Sequence, residues 1–314
     1  MSNNQKPILL IDASIYIFQY YFSLPDHWFS QKSSYPTAAV YGYTTFLMRL
    51  LIEQDPKYIA ACFDESLESC FRNTIYPEYK SSRAMPDEAL AFQLEACKQV
   101  TELLGIKTFA SERYEADDLI GSLYQSLTKE NNPIAILTRD KDLGQLINSK
   151  NDYLWDYAKY KPTEAAQNLR QSQYYYDDLV EKWGVRPEQF ADYLSLVGDS
   201  IDDIPGVPGI GKKSAASLLQ EFNSVERMLE QSDKIKHLPI RGANSIASKL
   251  NEHHDQIVMA KSLATIHCDL ALISNNKDIT LQPFQQPVLE EYFVLMGFPK
   301  LAARLNLLPN FTHR

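Results

Sequence analysis

The stretch Arg113–Leu119, which reads R-Y-E-A-D-D-L, places three carboxylates within four positions. An apolar helical pattern follows at once, so the acids lie at a helix start, where free N–H groups and the helix dipole offset their repulsion. Glu115 and Asp118 share one helix face and Asp117 lies on the neighbouring one, so all three can direct oxygens into one cleft. An acidic N-cap and first turn explains the stretch equally well. The positions of the acids elsewhere in the chain distinguish between these two interpretations.

Short apolar runs that end in, or lead into, an acid recur along the first half of the chain. They are Pro7–Asp12, Tyr58–Asp64 and Ile134–Thr138, the last followed by Asp140 and Asp142. Such runs are typical of strands buried on both faces. Helical patterns over Thr37–Gln54 and Asp87–Leu104 separate them. Strands that alternate with helices predict an α/β fold with a doubly wound, mostly parallel sheet.

In a parallel sheet the carboxyl ends of the strands meet at one edge, where functional groups collect. We therefore expect Asp12, Asp64, Asp140 and Asp142 to converge there with the acids that follow Arg113. A turn or N-cap role explains each acid taken alone. Together, however, they form a cluster too repulsive to persist without cations. An oxygen-only ligand set suits Mg²⁺ or Mn²⁺ rather than zinc.

Basic and aromatic residues interleave over Phe71–Arg83, F-R-N-T-I-Y-P-E-Y-K-S-S-R. Arg72, Lys80 and Arg83 can neutralise phosphates, and aromatic rings such as that of Tyr79 offer faces for unpaired bases. A solvated loop whose aromatics cover the core is the alternative interpretation. Composition alone leaves both interpretations open.

From about Tyr174 the pattern changes to helices separated by short loops. Within it, Gly198–Lys213 reads G-D-S-I-D-D-I-P-G-V-P-G-I-G-K-K, adds Asp199 and Asp202, and leads into a predicted helix. Glycines let the backbone approach a phosphate closely, and the helix start offers N–H groups. The stretch resembles the helix-hairpin-helix that binds DNA backbone without regard to sequence, and a plain interhelix loop is the alternative.

Composition limits the function classes less than the motifs do. The chain has 314 residues, of which 45% are hydrophobic, which is ample for a buried core. The net charge of -9 argues against a nucleic-acid partner only if the acids are spread evenly. Four scattered cysteines predict reduced thiols rather than disulfides or a zinc site. With no apolar run of membrane-spanning length and no signal peptide, we expect a cytoplasmic protein without a membrane partner.

These motifs together resemble the bacterial 5'-nucleases, namely the 5'-3' exonuclease domain of DNA polymerase I, its phage relatives and, more distantly, the flap endonucleases. The resemblance runs from about Ile8 to Leu308. L-L-I-D-A-S, C-F-D, E-A-D-D and T-R-D-K-D-L match the family's acidic motifs. G-D-S-I-D-D-I-P-G-V is similar to the family's G-D-x-S-D-N-x-P-G-V, with Ile201 for Ser and Asp203 for Asn.

The resemblance implies a PIN-like nuclease core over residues 1–173, with a helical arch around 65–100. It implies a helical DNA-binding region over 174–314, with the helix-hairpin-helix at 188–222 and C-terminal packing helices. Two Mg²⁺ or Mn²⁺ ions are expected. The implied ligands of the first ion are Asp12, Asp64, Glu115, Asp117 and Asp118. Those that support the second are Asp140, Asp142, Asp199 and Asp202.

The resemblance also assigns catalytic roles to Lys80 and Arg83 beside those acids. It assigns DNA contacts to residues of the hairpin and of the Phe71–Arg83 stretch, which would belong to the arch, or gateway, that handles the 5' strand. These contacts are Arg72, Tyr79, Lys80, Arg83, Gly206, Gly209, Gly211, Lys212 and Lys213. A K⁺ ion in the hairpin would be held by the backbone carbonyls of Leu196, Val197, Pro205, Val207 and Ile210.

The function these features predict is that of a divalent-metal-dependent 5'-3' exonuclease and flap endonuclease, a monomer acting on flap, nicked or branched DNA. Two alternatives stay open. One is a structure-specific DNA-binding protein with little catalysis, and the other is a ribonuclease that removes RNA primers from RNA–DNA hybrids.

Overall fold

The computed structural model describes residues 5–66, 69–130, 132–159, 169–240 and 242–308. In chain order the strands of the described residues are β1 (Ile8–Asp12), β2 (Ile59–Asp64), β3 (Lys107–Ser111), β4 (Ile134–Leu137), β5 (Tyr153–Trp155) and β6 (Gln173–Tyr175). The helices are α1 (Ala13–Ser23), α2 (Ala38–Gln54), α3 (Phe71–Ile75), α4 (Glu88–Leu103), α5 (Ala116–Leu127), α6 (Tyr176–Trp183), α7 (Phe190–Val197), α8 (Lys212–Phe222), α9 (Val225–Glu230), α10 (Ser232–Ile235), α11 (Ala243–Glu252), α12 (His254–Ala264) and α13 (Gln286–Leu295). Short 3₁₀ helices span Asp142–Leu146, Tyr157–Lys159, Pro187–Gln189, Asn276–Ile279 and Pro299–Leu307.

The chain folds into two compact units, neither of which is continuous in sequence. The first comprises the described residues of 1–67, 85–139 and 267–314, and the second those of 68–84 and 140–266. The sequence predicts a division at residues 173 and 174 instead. The difference arises because the final segment folds onto the first unit, where the backbone N–H of Leu281 donates to the carbonyl of Lys57.

The first unit is built on four parallel strands in the order β3-β2-β1-β4. Ile8 to Ile11 of β1 have no exposed surface, which explains why this strand reads as a continuous apolar run. The predicted parallel α/β sheet is confirmed, with strand and helix boundaries within a few residues of the predicted ones.

Strand order explains why the edge beside β1 is the functional edge. The chain moves outward from β1 to β2 and β3, then crosses back through α5 to place β4 on the other side of β1. Open α/β sheets form a crevice at the carboxyl ends of two strands that diverge in this way. Asp12 is the last residue of β1 and lies at this point.

The second unit is mainly helical. It contains the antiparallel pair β5 and β6, which the sequence analysis did not predict because each strand is only three residues long. Its core lies among the helices from α7 to α12, where α7 packs against α12. Nowhere in the part of the chain that the structure describes is a helix long and apolar enough to cross a bilayer.

Candidate active site and nucleic-acid interface

Asp12 and Asp64 end neighbouring parallel strands of the first unit. Asp12 pairs in register with Cys62, so Asp64 lies two residues further along the same edge. The Asp12 carboxylate is 5% exposed, and its Oδ2 accepts a hydrogen bond of 2.8 Å from the Thr138 hydroxyl, just after β4. The Asp64 carboxylate accepts one of 2.9 Å from the Ser66 hydroxyl. Both acids are therefore held by hydroxyl groups at the sheet edge where the sequence places them.

The carboxylate of Asp117 affects a buried thiol of this sheet, that of Cys62, as Asp12 does. Burial raises the pKa of the Cys62 thiol well above its usual range, and the carboxylates of Asp12 and Asp117 raise it further. A buried thiol responds to negative charges only when they lie close by. Asp12 at the sheet edge and Asp117 of the E-A-D-D motif therefore both lie near Cys62.

Asp118 has a structural role that its position in the motif does not reveal. Its side chain has no exposed surface. Its Oδ2 accepts a hydrogen bond of 3.1 Å from the Glu115 N–H, and its Oδ1 accepts one of 2.9 Å from the His267 N–H. The first bond caps α5 and the second ties the C-terminal segment to that helix start. The interpretation of the motif as a helix cap therefore holds for Asp118, alongside its predicted role as a ligand.

The acids of the T-R-D-K-D-L motif lie in the second unit around a lysine. The Lys141 ammonium donates to Asp199 Oδ2 at 2.6 Å and lies 3.4 Å from Asp142 Oδ1. Asp142 Oδ1 is buried and accepts no hydrogen bond. Burial and the neighbouring Asp140 raise the pKa of Asp142 to about 7, against the opposing charge of Lys141. Sequence analysis missed Lys141, although its place between two predicted ligands is the signal that identifies it.

Asp202, the remaining predicted ligand, pairs with the basic residues of the Phe71–Arg83 stretch. Its Oδ1 accepts from Arg83 Nη2 at 2.6 Å, and its Oδ2 lies 3.6 Å from Lys80 Nζ. Lys80 has a φ of 55°, in the left-handed region that side chains disfavour, and its N–H donates to the Asp202 carbonyl. The second unit therefore holds these two cations next to an acid rather than in open solvent.

Two other residues of the stretch do not fit their predicted DNA contacts. Arg72 is 2% exposed, and its guanidinium donates to the backbone carbonyls of Leu263 and Thr265. Tyr79 is 3% exposed and lies in the core of the second unit, where its hydroxyl donates to Asp202 Oδ2 at 3.3 Å. Side chains this deeply buried cannot neutralise a phosphate or stack on a base without local unfolding. Both stabilise the unit instead.

The three glycines in the hairpin after α7 differ in whether the fold leaves room for a side chain. A Cβ at Gly206 would lie 2.4 Å from the Val197 carbonyl carbon, so this glycine is needed for packing. Gly209 has a φ of +84°, and a Cβ there would lie 2.5 Å from the Lys249 ammonium. A Cβ at Gly211 would meet nothing within 4 Å. Only Gly211 therefore stands open, at the N-cap of α8, where a phosphate can approach the helix start.

Two of the carbonyls predicted to hold K⁺ accept hydrogen bonds within the hairpin. The Leu196 carbonyl accepts from the Val207 N–H at 2.8 Å, and the Val207 carbonyl accepts from the Ile210 N–H at 3.0 Å. Each carbonyl oxygen has a second lone pair, so these bonds orient the two groups without using up their capacity to bind a cation. The Gln256 amide donates to the Gly206 carbonyl at 2.9 Å and ties the turn to α12.

The carboxylates offer only oxygen donors, which is the chemistry that Mg²⁺ and Mn²⁺ prefer. Among the described residues, no three His, Cys, Asp or Glu side chains stand ready to hold a metal ion in their present positions. Within the second unit, however, the orphaned Oδ1 of Asp142 and the raised pKa of that carboxyl indicate negative charge that Lys141 only partly compensates. The oxygen donors of these residues and their incompletely compensated charge suit a divalent cation.

Family models match most of the chain. The 5'-3' exonuclease N-terminal resolvase-like domain matches residues 7–184, and the 5'-3' exonuclease C-terminal SAM fold matches residues 185–287. A 5'-3' exonuclease of Buchnera aphidicola is 33% identical over 280 residues, which are 88% of this chain and 92% of the relative. DNA polymerase I of Bacillus subtilis is 32% identical over 96% of this chain, which spans only 32% of that polymerase.

Solved structures show the same fold. T5 5'-exonuclease with bound zinc matches with a TM-score of 0.63 and 19% identity, over 96% of this chain and 98% of that one. The catalytic core of Rad2 in complex with DNA substrate matches with a TM-score of 0.61 and 14% identity, over 97% of this chain and 92% of that one.

Proposed function

The chain belongs to the 5'-3' exonuclease family, and on that premise we propose that it hydrolyses phosphodiester bonds at or near the 5' end of flap, nicked or branched DNA. The observation that carries the proposal is the pair of acids, Asp12 and Asp64, at the ends of neighbouring parallel strands, with Asp117 close to the same buried thiol as Asp12. An acidic crevice at a strand-order switch point is suited to cation-assisted chemistry on a phosphate.

Two Mg²⁺ or Mn²⁺ ions would supply an activated water for in-line attack and would stabilise the leaving 3' oxygen. Asp12, Asp64, Glu115 and Asp117 would hold the first, with Asp118 both a ligand and the cap of α5. Asp140, Asp142, Asp199 and Asp202 would support the second. The buried hydrogen bonds of Asp12 and Asp118 support this assignment, because ligands held by fixed donors keep their orientation.

Lys80 and Arg83 would stabilise negative charge that develops on the scissile phosphate. Asp202 keeps both cations in place, at 3.6 Å and 2.6 Å, before substrate arrives. The strained backbone at Lys80 supports a functional role, because such conformations persist where surrounding structure holds them. Arg72 and Tyr79 are left out of this set because they are buried.

The hairpin would bind duplex backbone through Gly211, Lys212 and Lys213, with Gly206 and Gly209 shaping the turn. The backbone carbonyls of Leu196, Val197, Pro205, Val207 and Ile210 would hold a K⁺ ion, which would supply positive charge for a bound phosphate. The bonds that already orient the Leu196 and Val207 carbonyls support this site.

The test compares cleavage of a labelled 5' flap, a nicked duplex, an RNA–DNA hybrid and single-stranded RNA at millimolar Mg²⁺, with a chelator control. We expect cleavage of the flap and the nicked duplex, and none with the chelator. Preferred cleavage of the hybrid would favour primer removal. Flap binding without cleavage in Mg²⁺ or Mn²⁺ would favour a DNA-binding protein.

A further inference from the structure

Lys141 lies within a group of carboxylates that all belong to the second unit. Its ammonium is 2.6 Å from Asp199 Oδ2 and 3.4 Å from Asp142 Oδ1. The Asp199 side chain is 5% exposed, whereas the Lys141 side chain is 40% exposed. The lysine therefore reaches the buried acids from the solvent side, and its stem is free to leave by the same route.

The charges of this group do not balance. Two carboxyl groups, those of Asp142 and Asp199, face one ammonium, and Asp142 Oδ1 accepts no hydrogen bond. Although burial opposes the charge of Lys141, the carboxylates of Asp142 and Asp199 raise its pKa, so this lysine is charged at neutral pH. A single ammonium holds the acids together but leaves them underneutralised. A divalent cation would neutralise them more completely.

Lysine is suited to a temporary role at such a place. Its charge is compact, and its four-carbon stem is flexible. Because its side chain is 40% exposed, the ammonium can move into water when another cation takes its place. A divalent cation at Asp142 and Asp199 would occupy the position of the ammonium, because both bind the same oxygens.

On these grounds, and resting on the proposed function, we propose that Lys141 is an internal counter-ion that holds the second cation site of the apoprotein together and is displaced when a divalent cation binds. The lysine and the cation then compete for the same two carboxylates. Removal of the lysine should raise cation affinity while it destabilises the cation-free protein. If the lysine assisted cation binding, or only packed against its neighbours, its removal would not raise cation affinity and lower stability together.

The experiment measures Mn²⁺ binding to the full chain without DNA, by the loss of the free-ion electron paramagnetic resonance signal, for wild type and Lys141→Met. Methionine keeps most of the aliphatic stem and removes the charge. We expect the affinity of one of the two ions to rise at least about fivefold, because fivefold corresponds to an exposed ion pair and the Asp199 carboxylate is buried. The affinity of the other ion should change less.

A matched control is Lys236→Met, which removes a lysine that pairs with Asp233 at 2.6 Å and is 46% exposed. It should leave Mn²⁺ binding unchanged. Asp142→Asn, which removes a carboxylate charge from the same group, should abolish binding of the ion that Lys141→Met affects, while the other ion still binds. Lys141→Gln provides a second uncharged side chain in case the methionine variant fails to fold.

Thermal melts complete the test. Without Mn²⁺, Lys141→Met should melt below wild type, and saturating Mn²⁺ should restore most of the difference. Unchanged or weaker Mn²⁺ binding in both Lys141 variants would overturn the displacement proposal. The proposed function would still stand if the wild-type protein bound two ions. If wild type bound no divalent ion, both proposals would fail.

Discussion

In the first unit Asp12, Asp64 and Asp118 accept hydrogen bonds from neutral groups, whereas in the second unit Asp142, Asp199 and Asp202 lie against lysine or arginine side chains. Asp12 and Asp118 are bonded to a hydroxyl and to backbone N–H groups. Asp199 and Asp202 are bonded to Lys141 and to Arg83. Neutral donors leave the full negative charge available to a cation, while ammonium and guanidinium groups compete with it. On the proposal that these acids bind cations, the second group would have to exchange one positive charge for another.

The largest expected effect is that of Asp117→Ala on cleavage. Asp117 is proposed to hold the first cation with Asp12, so its loss should reduce single-turnover cleavage of a 5' flap by at least about 10³-fold, several kcal/mol of transition-state stabilisation. Flap binding in Ca²⁺ should be largely kept. A variant that cleaves at nearly the wild-type rate would remove Asp117 from the mechanism.

Asp118→Ala should act on stability as well as on cleavage. It leaves the N–H groups of Glu115 and His267 without their acceptor in a fully buried place, at a cost of about 1–3 kcal/mol each. We expect a loss of about 3 kcal/mol in the free energy of unfolding by urea, against a much smaller loss for Asp117→Ala. Equal stability of the two variants would contradict the capping role of Asp118.

Lys80→Ala tests the cations of the second unit. The charge of Lys80 matters most where the scissile phosphate gains negative charge, so the variant should lower the single-turnover rate by about 10²-fold and weaken flap binding less. Lys98→Met is a suitable control, because Lys98 pairs with Glu65 at 2.7 Å in the first unit. Rates that stay at the wild-type level would make Phe71–Arg83 a purely structural segment.

The smallest effect is expected at the hairpin. Gly211→Val should weaken duplex binding about tenfold, the loss of one hydrogen bond to a charged phosphate, because Gly211 stands open where backbone meets phosphate. Stability should change by about 1 kcal/mol at most. Gly209→Ala provides the contrast, because its φ of +84° opposes a side chain in the fold itself. If Gly211→Val lost stability as Gly209→Ala does, its role would be in the fold.

Much of the fold could be predicted because its signals are local. Three of the four parallel strands, β1, β2 and β4, read as apolar runs, and the acids that end β1 and β2 are where the sequence predicts them. Local patterns failed for β5 and β6, which are too short to show a period. They also failed for the second unit's contribution from residues 68–84, because membership of a unit depends on distant partners.

The sequence by itself determined which residue types are available for the chemistry: acids at strand ends, the E-A-D-D motif, and glycines before two lysines. Only the tertiary structure decided which of the basic and aromatic residues are accessible. Arg72 is buried by a contact with Leu263, 191 residues away, and Lys141 pairs with Asp199, 58 residues away. The physical reason is that burial and ion pairing depend on the three-dimensional neighbours of a side chain, and a basic residue reads the same in sequence whether it faces a phosphate or a carbonyl of its own chain.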